Sequence, residues 1–268
     1  MKLPVHNLQN QKTGEKELPP QFSEEYRPDL IKRAVLALRS QLYQPHGSSP
    51  EAGKRHSAEL SRRRRKYRGA YGFGISRVTR KILTRRGTRF YWVGALSPNT
   101  VGGRRAHPPK AEKNLLQRIN KKEKRKALRS ALAATLNPQL VQNRGHFPPE
   151  NYPFIISSEI EKITKTKEAK EVLKRLNFQK ELQRTLLKKI KAGLGKLRGR
   201  KYQKKKGLLV VVSDDCPLIK SAQNLPGLEV VKVNQLNAQL LAPGAQPARL
   251  TLYTEKAIEK LEKEKLFL

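Results

Sequence analysis

Residues 207–215 read GLLVVVSDD. Residues 208–212 are apolar without interruption and follow a glycine, which is the pattern of a β-strand buried on both faces. Such strands belong to parallel sheets with helices on each side, because each face of the strand then meets an apolar layer. The segment therefore predicts an α/β fold.

The residues after this strand continue to alternate between strand and helix patterns. Ser213 or Asp214 can cap a following helix through residue 222. The next predicted elements are a strand at 228–233, a short helix at 236–241, a strand at 250–253 and a helix that begins at Thr254. Strands that alternate with helices imply a largely parallel sheet flanked by helices.

The first 200 residues supply further elements of the same fold. A helix over 178–191 is predicted from apolar residues that recur every four positions. The other predicted elements are a strand at 2–8, a helix at 28–42, a long helix at 111–136 and a short strand at 154–156.

Positive charge is distributed unevenly along the chain. The 58 Lys and Arg residues exceed the 22 Asp and Glu residues by 36, yet residues 207–268 hold seven of each sign and are neutral. A chain with this net charge needs a polyanion in its surroundings, and nucleic acid is the first candidate because phosphate contacts release counterions. An anionic membrane is the weaker alternative, since no stretch approaches the roughly 18 apolar residues of a spanning helix.

The cysteine content and the N-terminus indicate the compartment. Cys216 is the single cysteine, which excludes an intramolecular disulfide and a cysteine-based metal site. The first residues lack the apolar core of a signal peptide. We therefore expect a cytoplasmic protein.

A basic loop over residues 45–110 interrupts the α/β pattern. Between Glu51 and Lys110 there are 17 Lys and Arg residues and only two acids. Glycines and six aromatic residues are interleaved with these cations, and we recognise no persistent periodicity. Arginine pairs with phosphates, aromatic rings stack on unpaired bases, and glycine lets the backbone approach a crowded surface. We predict a globular body from residues 1–44 and 111–268 and an RNA-penetrating loop from 45–110 that orders only on RNA.

Three basic motifs have more than one interpretation. The run at residues 62–66 fits a nuclear localisation signal or a solvated charge run, but its surroundings favour RNA contact. Pro108 and Pro109 mark either the return of the loop or an ordinary helix start. The segment 196–206 is either a phosphate-binding surface or a disordered solubilising loop.

Signals for enzymatic chemistry are weak. Residues 69–74 read G-x-x-G-x-G, which is the reverse of the dinucleotide-binding spacing. Asp214 and Asp215 fit helix capping better than metal binding, and Cys216 has no activating base nearby in the sequence. The five histidines lack metal-ligand spacing. We expect no catalytic residue, cofactor, metal or small-molecule substrate.

Several segments together carry a family resemblance. They are RPDLIKRAVLAL (27–38), GGRRAHPPKAEK (102–113), ALRSALAAT (127–135), LGKLRGRKYQKKKGLLVVV (194–212), NLPGLEVVKVNQLNAQLLAPG (224–244) and RLTLYTEKAIEKL (249–261). On these residues the chain resembles the universal fourth protein of the large ribosomal subunit, in its archaeal–eukaryotic branch. The absence of a long C-terminal tail favours an archaeal member.

The resemblance implies a Rossmann-like body and a loop that reaches through large-subunit ribosomal RNA to the nascent-peptide exit tunnel. It implies as partners that RNA, neighbouring large-subunit proteins and the nascent peptide. This chain has Thr79 where archaeal relatives usually have proline. The stretch at the position of the family's tunnel tip is Ser76, Arg77, Val78, Thr79 and Arg80.

The candidate RNA contacts fall into four groups. The first group, before the tip, is Arg62, Arg63, Arg64, Arg65, Lys66 and Arg68. The second, around and after the tip, is Arg77, Arg80, Lys81, Arg85, Arg86 and Arg89 with the stacking or wedging rings Phe90, Tyr91 and Trp92. The third, at the base of the loop, is Arg104, Arg105, His107 and Lys110. The fourth, a separate surface, is Lys196, Arg198, Arg200, Lys201, Lys204, Lys205 and Lys206.

Two other functions share some of these features. A DNA-compacting protein has comparable charge but does not need one interior loop rich in glycine and aromatic residues. A Rossmann-type RNA methyltransferase has a comparable sheet but needs a glycine-rich cofactor turn, which this sequence lacks.

Overall fold

A computed structural model describes residues 1–268 and contains ten β-strands and eight α-helices. The strands are β1 (Lys2–His6), β2 (Lys12–Glu17), β3 (Arg80–Arg86), β4 (Arg89–Gly94), β5 (Ile155–Ile156), β6 (Lys188–Ile190), β7 (Tyr202–Lys204), β8 (Leu209–Val212), β9 (Glu229–Lys232) and β10 (Thr251–Thr254). The helices are α1 (Pro28–Ser40), α2 (Lys121–Thr135), α3 (Pro138–Asn143), α4 (Thr166–Arg175), α5 (Gln179–Leu186), α6 (Pro217–Ala222), α7 (Ala238–Leu241) and α8 (Glu255–Lys263).

Six strands form one sheet in the order β2-β1-β5-β10-β8-β9. Strand β8 lies between β10 and β9 and is parallel to both. Only the edge strand β2 runs antiparallel to its neighbour. The prediction of a largely parallel α/β sheet flanked by helices is confirmed.

The apolar run that predicted the sheet is buried on both faces. Leu209 and Val211 pack in one apolar cluster with residues of α1, α2 and α8. Val210 and Val212 pack in a second cluster with residues of α4 and α6. Because successive strand residues point to opposite faces, each cluster takes alternate side chains of the same strand. This arrangement explains why the run contains no polar residue.

The chain divides into two compact units. One unit consists of Met1–Leu42 and Leu116–Leu268 and contains the six-stranded sheet; we call it the body. The other consists of Tyr43–Leu115 and contains β3 and β4; we call it the insertion unit. None of the helices combines the length and the apolar character that crossing a bilayer requires.

Two predicted helices are substantially shorter in the structure, whereas the others differ at their ends by only a few residues. The helix predicted over 111–136 begins only at Lys121, because the residues before it bury little apolar surface and Leu116 is exposed. The helix predicted over 178–191 ends at Leu186. Beyond it, Ile190 is exposed and the backbone of β6 pairs with β7, so the fourfold apolar spacing there does not mark a buried face.

The predicted cap of the helix after β8 is wrong. Helix α6 begins at Pro217 and has no side-chain cap. The Ser213 hydroxyl instead donates a hydrogen bond to the Glu161 carboxylate at 3.2 Å, and the Asp214 carboxylate pairs with the Lys260 ammonium. The predicted helix start at Thr254 is confirmed, since its hydroxyl accepts a hydrogen bond from the Ala257 amide at 3.3 Å.

We predict that Leu209→Ala lowers the free energy of unfolding by about 2–5 kcal/mol, because the fully buried leucine leaves a cavity within the sheet layer. The matched control is Leu197→Ala. The Leu197 side chain is 84% exposed, so its removal should change the free energy of unfolding by about 0.5 kcal/mol or less. Urea denaturation followed by circular dichroism measures both. Equal stability of the two variants would contradict burial of β8 on both faces.

Candidate nucleic-acid interface

β3 and β4 form an antiparallel hairpin within the insertion unit, although the sequence there shows no persistent periodicity. Arg86 pairs with Arg89, which leaves a two-residue turn of Gly87 and Thr88. Gly87 has a φ of 54°, a conformation that favours glycine and is typical of tight hairpin turns. The missed signal was this Gly-Thr pair between two runs rich in β-branched and aromatic residues.

The hairpin separates the three predicted stacking rings. Phe90 and Trp92 lie two residues apart on one face, with ring centroids 5.6 Å apart, whereas Tyr91 lies on the opposite face and is exposed. The Arg85 guanidinium lies 5.8 Å from the centre of the Phe90 ring, and that of Arg80 lies 5.5 Å from the Trp92 ring. Arg80 and Arg85 are therefore held by cation–π contacts with the two rings of this face.

The predicted tip residues lie at the open end of this hairpin. Arg80 donates hydrogen bonds to the Ser76 hydroxyl at 3.1 Å and to the Val78 carbonyl at 3.2 Å. The Thr79 hydroxyl donates to the Ala95 carbonyl at 2.6 Å. These contacts fix the turn into β3, and Thr79 therefore has a structural role.

The basic run before the tip is open to solvent. Residues 62–66 are all exposed. Arg68 is half-buried, and its guanidinium pairs with the Glu59 carboxylate at 3.1 Å. Glu59 is one of only two acidic residues between positions 51 and 110, where there are 17 Lys and Arg residues. The exposed arginines of this run have no acidic partner, so their charge is available to an anion.

The two ends of the insertion unit lie against each other. The Ser48 amide donates to the Pro109 carbonyl at 3.1 Å. Gly53 has a φ of 75°, and a Cβ at this position would lie 2.6 Å from the Arg104 Cα, so glycine is required there. Around this contact, Arg105, His107 and Lys110 are exposed.

The insertion unit has almost no apolar core. Its buried hydrophobic residues are Ala70 and Ala95 alone, and its larger aromatic side chains are half-buried or exposed. Two alanines bury too little apolar surface to offset the conformational entropy of ordering such a segment. The unit therefore gains little stability from its own packing.

The second basic segment folds as a hairpin of β6 and β7, and we call residues 188–206 the basic hairpin. Most of its predicted RNA-contact residues are exposed: Lys196, Arg198, Arg200, Lys201 and Lys204. Lys205 is half-buried. The Lys206 ammonium pairs with the Glu229 carboxylate, whereas the other predicted cations of this hairpin have no acidic partner.

Buried ionic groups hold the exit of the basic hairpin, at residues 206 and 207. Glu181, which is 1% exposed, accepts two hydrogen bonds from Arg184, at 2.6 and 2.8 Å, and one from His146 at 2.8 Å. Arg184 also donates to the Lys206 carbonyl at 2.8 Å. At the exit of the hairpin the fully buried Arg249 donates to the Gly207 carbonyl at 2.7 Å. Sequence patterns did not reveal this network, because its members are far apart in the chain.

The environment lowers the pKa values of both Glu181 and His146. Burial alone would raise the pKa of Glu181, but hydrogen bonds from Arg184 and His146 outweigh it and hold that pKa at about 2. Burial lowers the pKa of His146 below its ordinary value of 6.5, despite the opposing effect of Glu181. Both groups bind protons less readily in the folded state, so both stabilise the fold at neutral pH and lose that contribution in acid.

No group of His, Cys, Asp and Glu side chains is arranged to hold a metal ion. Asp214 and Asp215 pair instead with Lys260 and Lys232. The sheet, the cationic hairpins and the insertion unit without an apolar core define a class of protein, the structural component of a ribonucleoprotein.

Comparisons with known proteins specify the family. A model described as the Ribosomal protein L4/L1 family matches residues 16–264. The chain is 50% identical over 268 residues, covering all of both chains, to the large ribosomal subunit protein uL4 of Nanoarchaeum equitans. The proteins of the same name from Archaeoglobus fulgidus and Methanocaldococcus jannaschii are 45% and 46% identical, covering 97% and 98% of this chain and 98% of each relative.

The chain belongs to this ribosomal protein family, in its archaeal branch, as the resemblance predicted. It is therefore a structural, non-enzymatic ribosomal protein, and its location is the ribosome in the cytoplasm.

We predict that Glu181→Gln lowers the free energy of unfolding by about 3 kcal/mol at pH 7, because it leaves Arg184 partly buried without its carboxylate. The matched control is Glu168→Gln, which removes a half-exposed partner of Lys165 and should cost about 1 kcal/mol or less.

Denaturation from pH 7 downwards extends this test. The parent protein should lose stability below pH 6.5 as His146 is protonated in the unfolded state, and again between 4.5 and about 2 because of Glu181. The Gln variant should show a smaller second loss, because other carboxyls with lowered pKa values, such as that of Glu229, remain. An unchanged acid profile would show that Glu181 is not ionised in the folded network.

Proposed function

We propose that this chain binds large-subunit ribosomal RNA through the insertion unit and the basic hairpin. Binding of this kind serves subunit assembly and translation. The proposal includes the path expected from the sequence, in which the insertion unit passes through RNA and residues 76–80 help to line the nascent-peptide exit tunnel. Its partners are large-subunit RNA, neighbouring large-subunit proteins and the nascent peptide near the tip.

One observation carries this proposal: the insertion unit combines dense positive charge with the near absence of an apolar core. Like charges at this density repel one another, and two buried alanines cannot compensate. A surrounding polyanion removes the repulsion and supplies the missing contacts. Folded RNA meets both needs, since it surrounds a chain segment with phosphates and offers unpaired bases to the half-exposed rings.

Two further arguments support the proposed path of the insertion unit toward the exit tunnel. The two ends of the insertion unit lie together, at Ser48 with Pro109 and at Gly53 with Arg104, so the intervening chain leaves and returns at one place. The predicted tip residues lie within that excursion. The assignment of the tunnel itself comes from the family resemblance and is part of the proposal.

General binding to DNA is the principal alternative. The charge fits it equally well, but the interleaved aromatic residues favour a nucleic acid with unpaired bases. Sedimentation of a cell extract in low salt separates the two functions. Co-sedimentation with the large subunit supports the ribosomal function, and its absence contradicts it.

We predict that the fourfold variant Arg62→Gln, Arg63→Gln, Arg64→Gln, Arg65→Gln weakens binding to large-subunit RNA and reduces its salt dependence. Each lost phosphate contact lowers the slope of log affinity against log salt by about 0.7–0.9, so four contacts lower it by about 3. Filter binding of the full chain over a series of salt concentrations measures the slope.

The matched control removes four exposed lysines from the neutral C-terminal segment: Lys220→Gln, Lys256→Gln, Lys263→Gln and Lys265→Gln. It makes the same change in net charge outside the proposed interface. If both variants reduce the slope equally, binding follows overall charge and the proposed location of the interface is wrong.

A further inference from the structure

A cleft of about 820 Å³ lies within the insertion unit, beside the β3–β4 hairpin. Tyr67 and Tyr71 from the preceding segment and Phe90 and Trp92 from β4 line it. Its volume falls within the roughly 300–1,000 Å³ that is usual for sites that bind small ligands. The cleft is therefore large enough to hold a small organic ligand.

The rings in this cleft form an ordered set whose surfaces remain partly open. The Tyr67 and Phe90 centroids are 5.1 Å apart with the ring planes at 71°, and Phe90 lies tilted at 30° to Trp92. Tyr67 is 48% exposed, although it lines the cleft. Flat rings with free area in a cleft are suited to stacking on another flat group.

Cations surround these rings. Arg63, Arg65, Lys66, Arg68 and Arg89 all line the cleft, and no acidic residue does. The Nε atom of Arg68 is shielded from solvent and has no hydrogen-bond partner within the protein. The cleft thus combines aromatic surface for a planar group with donors for an anion, which are the two requirements of a nucleotide.

We propose that this cleft binds a single unpaired nucleotide that is turned out of the RNA, with its base against the Tyr67 and Phe90 rings and its phosphate among the arginines. The proposal rests on the proposed RNA binding and specifies the ligand at one place. A paired base does not fit, because its faces are covered by its neighbours in the helix.

Trp92 makes the proposal measurable, since it is the single tryptophan of the chain and lines the cleft. The full-length protein is titrated with a labelled single-stranded RNA, with the same strand made abasic, and with a duplex of equal charge. Anisotropy of the label gives affinity, and quenching of Trp92 fluorescence reports occupancy of the cleft. We expect the intact strand to quench Trp92 and to bind about tenfold more tightly than the abasic strand.

Two variants test whether the preference for the intact strand arises in the cleft. Phe90→Leu and Tyr67→Leu should each weaken binding of the intact strand about tenfold and leave binding of the abasic strand unchanged. The matched control is Tyr43→Leu, an exposed tyrosine of the same unit outside the cleft, which should change neither. Circular dichroism of each variant verifies that the body is folded.

The outcomes separate this inference from the proposed function. If the intact, abasic and duplex RNAs bind equally and quench equally, RNA binding stands but the nucleotide cleft is wrong. The same conclusion follows if the two cleft variants behave like Tyr43→Leu. If no RNA binds the full-length protein, the proposed function fails together with the inference.

Discussion

Mutual repulsion among the cations of the insertion unit is the constraint on which the rest of the structure depends. The stretch from residue 51 to residue 110 carries 17 Lys and Arg residues against two acids, and the insertion unit buries only two alanines. A segment of this kind gains little from its own packing, and we propose that an external anion stabilises its conformation. The apolar residues that stabilise the fold must therefore lie elsewhere, and they lie around the six-stranded sheet.

Acidic residues near the basic segments are few, and two of them, Glu181 and Glu229, hold the exit of the basic hairpin. Glu181 binds the arginine that contacts the Lys206 carbonyl, and Glu229 pairs with Lys206 and Arg249 at the exit of the basic hairpin. Glu59 pairs with Arg68 beside the cleft. The remaining cations are left without acidic partners, so the acids fix the backbone and do not neutralise the surface that faces an anion.

The sequence allowed the sheet to be predicted because burial on both faces leaves a direct pattern in residues 208–212. The helix boundaries at 121 and 186 were not predictable from spacing, since exposed leucines and isoleucines continue the apolar period without being buried. The turn at Gly87 was recognisable in principle, but the dense charge around it obscured the strand pattern. The contact of His146 with Glu181 joins residues 35 apart, and no local pattern reports such a pair.

Hydrogen exchange of the full chain, free and bound to large-subunit RNA, tests the central claim that the insertion unit depends on RNA for its structure. We expect rapid exchange over residues 45–110 in the free protein and strong protection in the complex. Amides of β8 should be protected in both states, because the body has its own core. Protection of residues 45–110 in the free protein, or rapid exchange there in the complex, would contradict the account.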